Sequence, residues 1–181
     1  MKKLLIFILL GLITMTNNFI YSHVSPPSIA MTEKIEKQVG QTLAKKYNMK
    51  FCGAGGGMPD GIVDMLALSF DLERQFTIEE ARAILIDCVN TYVNAVNADK
   101  ELKPYLKNSP FTPENIKISI FFKSPLSDDF YDPYLRVACT SHGDLIYRTK
   151  EKGKEFGYKS EIIESYEDAV KILNENKNSS K

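Results

Sequence analysis

From Ile35 the chain is apolar at every fourth position, through Val39 and Leu43 to Tyr47, while Glu33, Glu36, Lys37 and Lys45 lie off that row. That spacing predicts a helix over 32–47 with one narrow buried stripe and these charges turned outward. Gly40 inside it weakens the helix. A second helix is marked more sharply: Thr77 and Glu80 form a capping box before Ala81, Leu85, Cys88, Val89, Tyr92, Val93 and Val96, which repeat at intervals of three and four. It should run from Ile78 to about Val96. The pattern then changes to alternation, with Ile116, Ile118, Ile120 and Phe122 against Lys117 and Ser119, which predicts a strand. A like pattern places Ile62, Leu66, Leu68, Phe70 and Leu72 on the buried face of an earlier strand, with Ser69 and Asp71 opposite.

Leu135, Val137 and Cys139 are expected on the core face of a further strand, and Ser141, His142, Gly143 and Asp144 form a turn into an antiparallel strand ending at Thr149. Ser165 with Asp168 repeats the capping pattern ahead of a short helix carrying Tyr166, Ala169, Val170 and Leu173. Gly53, Gly55, Gly56 and Gly57 read as a flexible connection. The order is α-β-α-β-β-β-α. The expected fold is α+β, with an antiparallel or mixed sheet of about four strands and helices packed on one face.

The first residues carry a different signal. Lys2 and Lys3 precede an apolar run from Leu4 to Ile13, which Thr14, Thr16, Asn17 and Asn18 interrupt. A membrane span needs about 20 apolar residues, so this is the tripartite leader of an exported protein, with cleavage expected after Ser22. No cysteine lies near that border, so lipid attachment is not expected. Domain organisation follows: leader 1–22, a Pro-containing extended tether over 23–30, one domain over 31–175 and a disordered tail over 176–181. Removing the leader leaves 21 basic residues against 23 acidic ones. That balance lacks the basic footprint of nucleic-acid or anionic-lipid binding, so neither partner is expected, and no further membrane span follows the leader.

The segments GGGMP (55–59), LALSFD (66–71), TIEEAR (77–82), PFTPENIKISIFF (110–122) and SYEDAVKIL (165–173) resemble an uncharacterised family of small exported proteins from chlamydia-like and other intracellular or amoeba-associated bacteria. The resemblance runs in order through most of the chain after the leader. It implies export and a host-associated setting, and carries no activity or site residue.

Candidate chemistry is sparse. The glycine run lacks the Gly-Lys-Ser/Thr of a phosphate loop and is followed by Met58 and Pro59, not by a helix. Three cysteines permit at most one internal disulfide. Cys88 and Cys139 read as buried apolar residues, which a bond could join only if the helix packs over that strand within about 7 Å between alpha carbons. Cys52 is the expected exposed thiol, with no cation evident to activate it. His142 is the only histidine beyond the new amino terminus; with Ser141 and Asp144 it lies in one short turn, which cannot easily aim three side chains as a relay requires. Asp128, Asp129 and Asp132 lack the alternation and glycine of a calcium loop, so no metal or cofactor is expected. Phe130 and Tyr131 become candidate contact anchors if their loop is exposed. The expected function is a non-enzymatic binding or interaction protein of the bacterial envelope or host interface, acting on an unknown protein partner. The alternative is a small exported hydrolase or other enzyme using carboxylate, Tyr or Cys52 chemistry.

Overall fold

The computed structural model describes residues 25–125, 130–154 and 156–179; the expected leader and its cleavage point lie outside them. Three helices, α1 (Pro27–Tyr47), α2 (Ile78–Ala98) and α3 (Tyr166–Ser179), cover one face of a six-stranded sheet. Its strands are β1 (Lys50–Gly57), β2 (Met65–Leu72), β3 (Ile116–Phe122), β4 (Leu135–Ser141), β5 (Asp144–Thr149) and β6 (Ser160–Ser165). They lie side by side in chain order. Every neighbouring pair is antiparallel except β2 and β3, which run parallel because α2 carries the chain back between them. The fold is α+β as expected, with two more strands and the order α-β-β-α-β-β-β-β-α.

Helix α1 starts earlier than the pattern predicted, because Pro27 occupies its first turn, where a fixed φ is an advantage and a missing N–H costs nothing. The expected tether is therefore helical from Pro27, and Ser28 Oγ anchors it by donating to the Gly61 carbonyl at 2.7 Å. Asn48 ends the helix in the left-handed conformation. Gly40 lies where the Phe51 ring presses on the helix: a β-carbon there would stand 2.7 Å from ring atoms. Phe51 in turn stacks on Phe70, with centroids 5.6 Å apart, so the missing side chain lets β1 dock against α1.

The glycine run is thus a strand, not a loose connection. Residues 53–57 pair in register with 65–69 of β2, after a bulge at Cys52. The second unexpected strand, β6, pairs all six of its residues with β5.

On the helix side, Leu66, Leu68, Phe70 and Leu72 of β2 and Ile116, Ile118, Ile120 and Phe122 of β3 meet Leu85, Cys88, Val89, Tyr92 and Val96 of α2 and Ile35, Val39 and Leu43 of α1. Each fully buried large apolar side chain contributes about 1.5–3 kcal/mol, which makes this layer the main source of stability. The predicted capping box starts α2: Glu80 N–H donates to Thr77 Oγ1 at 3.2 Å and Thr77 N–H to Glu80 Oε2 at 3.0 Å. Ser165 caps α3 in the same way, accepting from Asp168 N–H at 3.1 Å. That helix continues to Ser179, through most of the expected disordered tail. No helix among the described residues is long and apolar enough to cross a membrane.

Two expected orientations are corrected. The ladder shifts between Leu135 and Val137, so the side-chain parity changes there. Leu135 and Ala138 join the helix-side core, whereas Val137 and Cys139 sit opposite Phe121 and Ser119 on the other face. Cys88 and Cys139 are consequently on opposite sides of the sheet, and both are free thiols. Glu36, expected outward, is only 6% exposed and packs between α1 and α2 beside Tyr92.

Candidate functional site

Three regions bring chemistry-bearing side chains together. The first is at the end of the sheet where the β4–β5 turn meets the segment before β3 and the start of α3. His142 and Gly143, both at positive φ, make the two-residue turn, and Ser141 pairs with Asp144. A cleft of about 530 Å³ lies between this turn, Glu114 and Tyr166. A neighbouring cleft of about 490 Å³ includes Asp64 and Lys107 and shares Glu114 and His142 with the first.

The turn brings Ser141 and His142 together, with Oγ 3.0 Å from Nδ1. That contact takes up the ring nitrogen which a relay would give to an orienting carboxylate, and Asp144 makes no hydrogen bond to the ring. The pair can hold a polar ligand group; a nucleophile activated by a base oriented from behind is not what this geometry provides. Glu114 and Glu167 come from segments far apart in sequence, which is why the cleft was not visible from the chain alone.

The second region surrounds Cys52, which is exposed as expected. It sits on the face opposite the helices, by the carboxylate of Asp71, whose Oδ2 also receives Lys123 Nζ at 2.6 Å. Burial and the Asp71 carboxylate push the Cys52 thiol above its ordinary value, and Lys123 only partly offsets them. Burial also raises Asp71, but Lys123 and the thiol hold it below the usual carboxylate range. The nearby cation is therefore spent on Asp71, and Cys52 is held as a thiol, the form that is not nucleophilic. Maleimide labelling of the native protein should modify Cys52 before Cys88 and Cys139, and Asp71→Asn should speed it several-fold at pH 7. First labelling of Cys88, or slower labelling in the variant, would contradict this arrangement.

The third region is on the far side of the sheet, around β6. Val137 and Cys139 are covered there by Arg148, whose Nη1 lies 3.8 Å from Cys139 Sγ. Its guanidinium sits 5.0 Å from the centre of the Tyr158 ring and pairs with Glu161. Beside this stack the segment exposes apolar side chains on both faces of the sheet, Ile163 pairing with Ile146 on the far face and Ile162 with the buried Tyr147 on the helix face. Among the described residues six large apolar side chains are exposed, and four of them fall between positions 156 and 163: Phe156 (82%), Tyr158 (51%), Ile162 (49%) and Ile163 (55%). The other two, Ile62 and Tyr134, lie elsewhere. The sequence held a signal for this segment, four large apolar residues within eight positions and no helical or alternating period, but local pattern does not encode exposure.

Phe130 and Tyr131 are half-buried, Phe130 packing on the core and lying 6.5 Å from Tyr134, so neither projects as the anchor envisaged for an exposed loop. Asp128 and Asp129 lie outside the described residues, and Asp132 is engaged by Thr149 Oγ1 at 3.0 Å and Lys159 Nζ at 2.6 Å. No group of three or more potential metal-ligating side chains occurs among the described residues. Comparison of the chain with protein-family models, characterised proteins and solved structures finds no match to any of them.

Proposed function

We propose that the chain is an exported interaction protein of the bacterial envelope or host interface, consistent with the family it resembles, and that it meets its partner through the 156–163 segment. The observation that carries this reading is the concentration of four exposed large apolar side chains on one loop and the adjoining edge strand. Side chains of this type lose water-exposed area on association and supply most of the energy at protein interfaces. A hydrolytic role for Ser141 and His142 has weaker support, since their contact occupies the nitrogen a relay needs.

The test places a photoreactive benzophenone side chain at position 156 and irradiates the exported protein in its own envelope fraction and in host extract. A discrete adduct that disappears with Ile162→Lys and Ile163→Lys is expected. Adducts formed only from a probe beside His142 would move the contact surface to the cleft and overturn this reading.

A further inference from the structure

We infer that the edge of β6 pairs with β6 of a second copy of this chain, antiparallel about a two-fold axis, with Ile163 opposite its counterpart. This deepens the proposed contact surface and rests on that reading. Among the described residues, strand β6 is hydrogen-bonded to a strand on one side only. Exposed edges are normally guarded by proline, inward charge, a bulge or a covering segment. The opposite edge has such a guard: β1 is bulged at Cys52, and its glycines offer no side chain to bury. β6 pairs with β5 without a bulge and contains neither proline nor lysine. Its two glutamates do not guard it either, because Glu161 is held by Arg148 and Glu164 by Arg82.

The register follows from the backbone. Tyr166 N–H donates to the Gly143 carbonyl at 2.8 Å, so alternation along the ladder turns Glu164 and Ile162 toward β5 and leaves the N–H and C=O of Glu161 and Ile163 and the N–H of Ser165 facing outward, the Ser165 carbonyl opening helix α3. A two-fold pairing keeps the helix face of both copies on one side only when it matches residues of like parity. Centring on Glu161 or Glu164 would set glutamate against glutamate. Centring on Ile163 sets isoleucine against isoleucine, Glu161 against Ser165 and Ile162 against Glu164, and engages the outward N–H and C=O of Ile163, the Glu161 carbonyl and the Ser165 N–H of each copy. The result is one continuous sheet across an isologous dimer. A strand pair with a small apolar surround is less than the standard interface of about 1,600 Å², so the dimer should be a micromolar equilibrium, not an obligate assembly.

Sedimentation velocity of the exported protein is expected to show mass doubling as concentration rises through about 1–100 μM. Ile163→Lys, at an exposed position, should shift that midpoint upward at least tenfold, whereas Ile62→Lys, also exposed, should leave it unchanged. Hydrogen-bonded antiparallel partners have alpha carbons about 5.5 Å apart, within disulfide reach. In a Cys52→Ser background, Ile163→Cys should therefore oxidise to a covalent homodimer, and Ile62→Cys should not. A protein that stays monomeric throughout, or a dimer unaffected by Ile163→Lys, overturns the proposal. A photoadduct from position 156 at a mass other than twice the chain would sink self-pairing and leave the interaction reading standing; no adduct there at all would sink both.

Discussion

Replacing Arg82 by Met is expected to lower the unfolding free energy by about 3 kcal/mol, the scale seen when one member of a buried ion pair is removed. Arg82 leaves α2 with its side chain 10% exposed and meets Glu164 of β6, 13% exposed, through a fork: Nε to Oε1 at 2.7 Å and Nη2 to Oε2 at 3.1 Å. The Tyr147 hydroxyl donates to the same Oε1 at 2.5 Å. Without the guanidinium, the carboxylate stays in a largely dehydrated place with one donor left. The double variant Arg82→Met with Glu164→Leu should recover most of the loss, since it removes the stranded charge as well. Arg82→Lys should fall between, keeping the charge and losing the fork. Urea unfolding at pH 7 measures all three, and a cost under about 1 kcal/mol for Arg82→Met would show that the pair is effectively solvated.

The second large effect is a pH dependence centred on Glu36. Burial, and then the negative charge of Glu33, raise its carboxyl to about 7, while Tyr92 opposes the rise. Neither Glu36 Oε1 nor the Tyr92 hydroxyl has a hydrogen-bond partner, so ionised Glu36 is poorly compensated. The folded chain thus binds this proton more tightly than the unfolded chain, whose carboxyl titrates near 4.5. The sign follows: the favourable contribution is complete below about 4.5 and is lost as pH rises through about 7. Its size should be about 3 kcal/mol. The difference in stability between the native chain and Glu36→Leu should therefore grow over that window, with the variant more stable at pH 8 and near parity at pH 5. A difference constant across the window would mean that Glu36 does not titrate there.

Local signals proved reliable where a few neighbouring residues settle the outcome. The Thr77–Glu80 box, the Ser165 cap, the alternation of β3 and the His142–Gly143 turn are all completed within four to seven residues. What was hidden depends on partners distant in sequence. β1 has almost no side-chain pattern, and it is a strand because β2 and Phe51 hold it against the rest. β6 reads Glu-Ile-Ile-Glu, which breaks alternation because an edge strand can expose apolar residues on both faces. One shifted residue at Arg136 was enough to move Cys139 to the other side of the sheet. Glu36 lies in the row formed by Thr32 and Gly40, which widens the buried face of α1 beyond the apolar stripe. For the site, the contact of Ser141 with His142 was implicit in their adjacency. The cleft beside them and the exposed 156–163 segment were not.

The single parallel junction gives the molecule a second level of organisation. Helix α1 packs chiefly on β1 and β2, α2 chiefly on β3 and β4, and α3 on β5, β6 and α2. The chain thus runs as two consecutive segments, before and after residues 73–77, that share one core and meet where β2 pairs with β3 and where α1 packs on α2. Three links at the helical joint involve titratable groups: Lys46 and Tyr47 to Asp87, at 2.7 and 2.8 Å, and Glu36 beside Tyr92. A proton taken up by Glu36 thus acts at the α1–α2 contact, where the two segments meet.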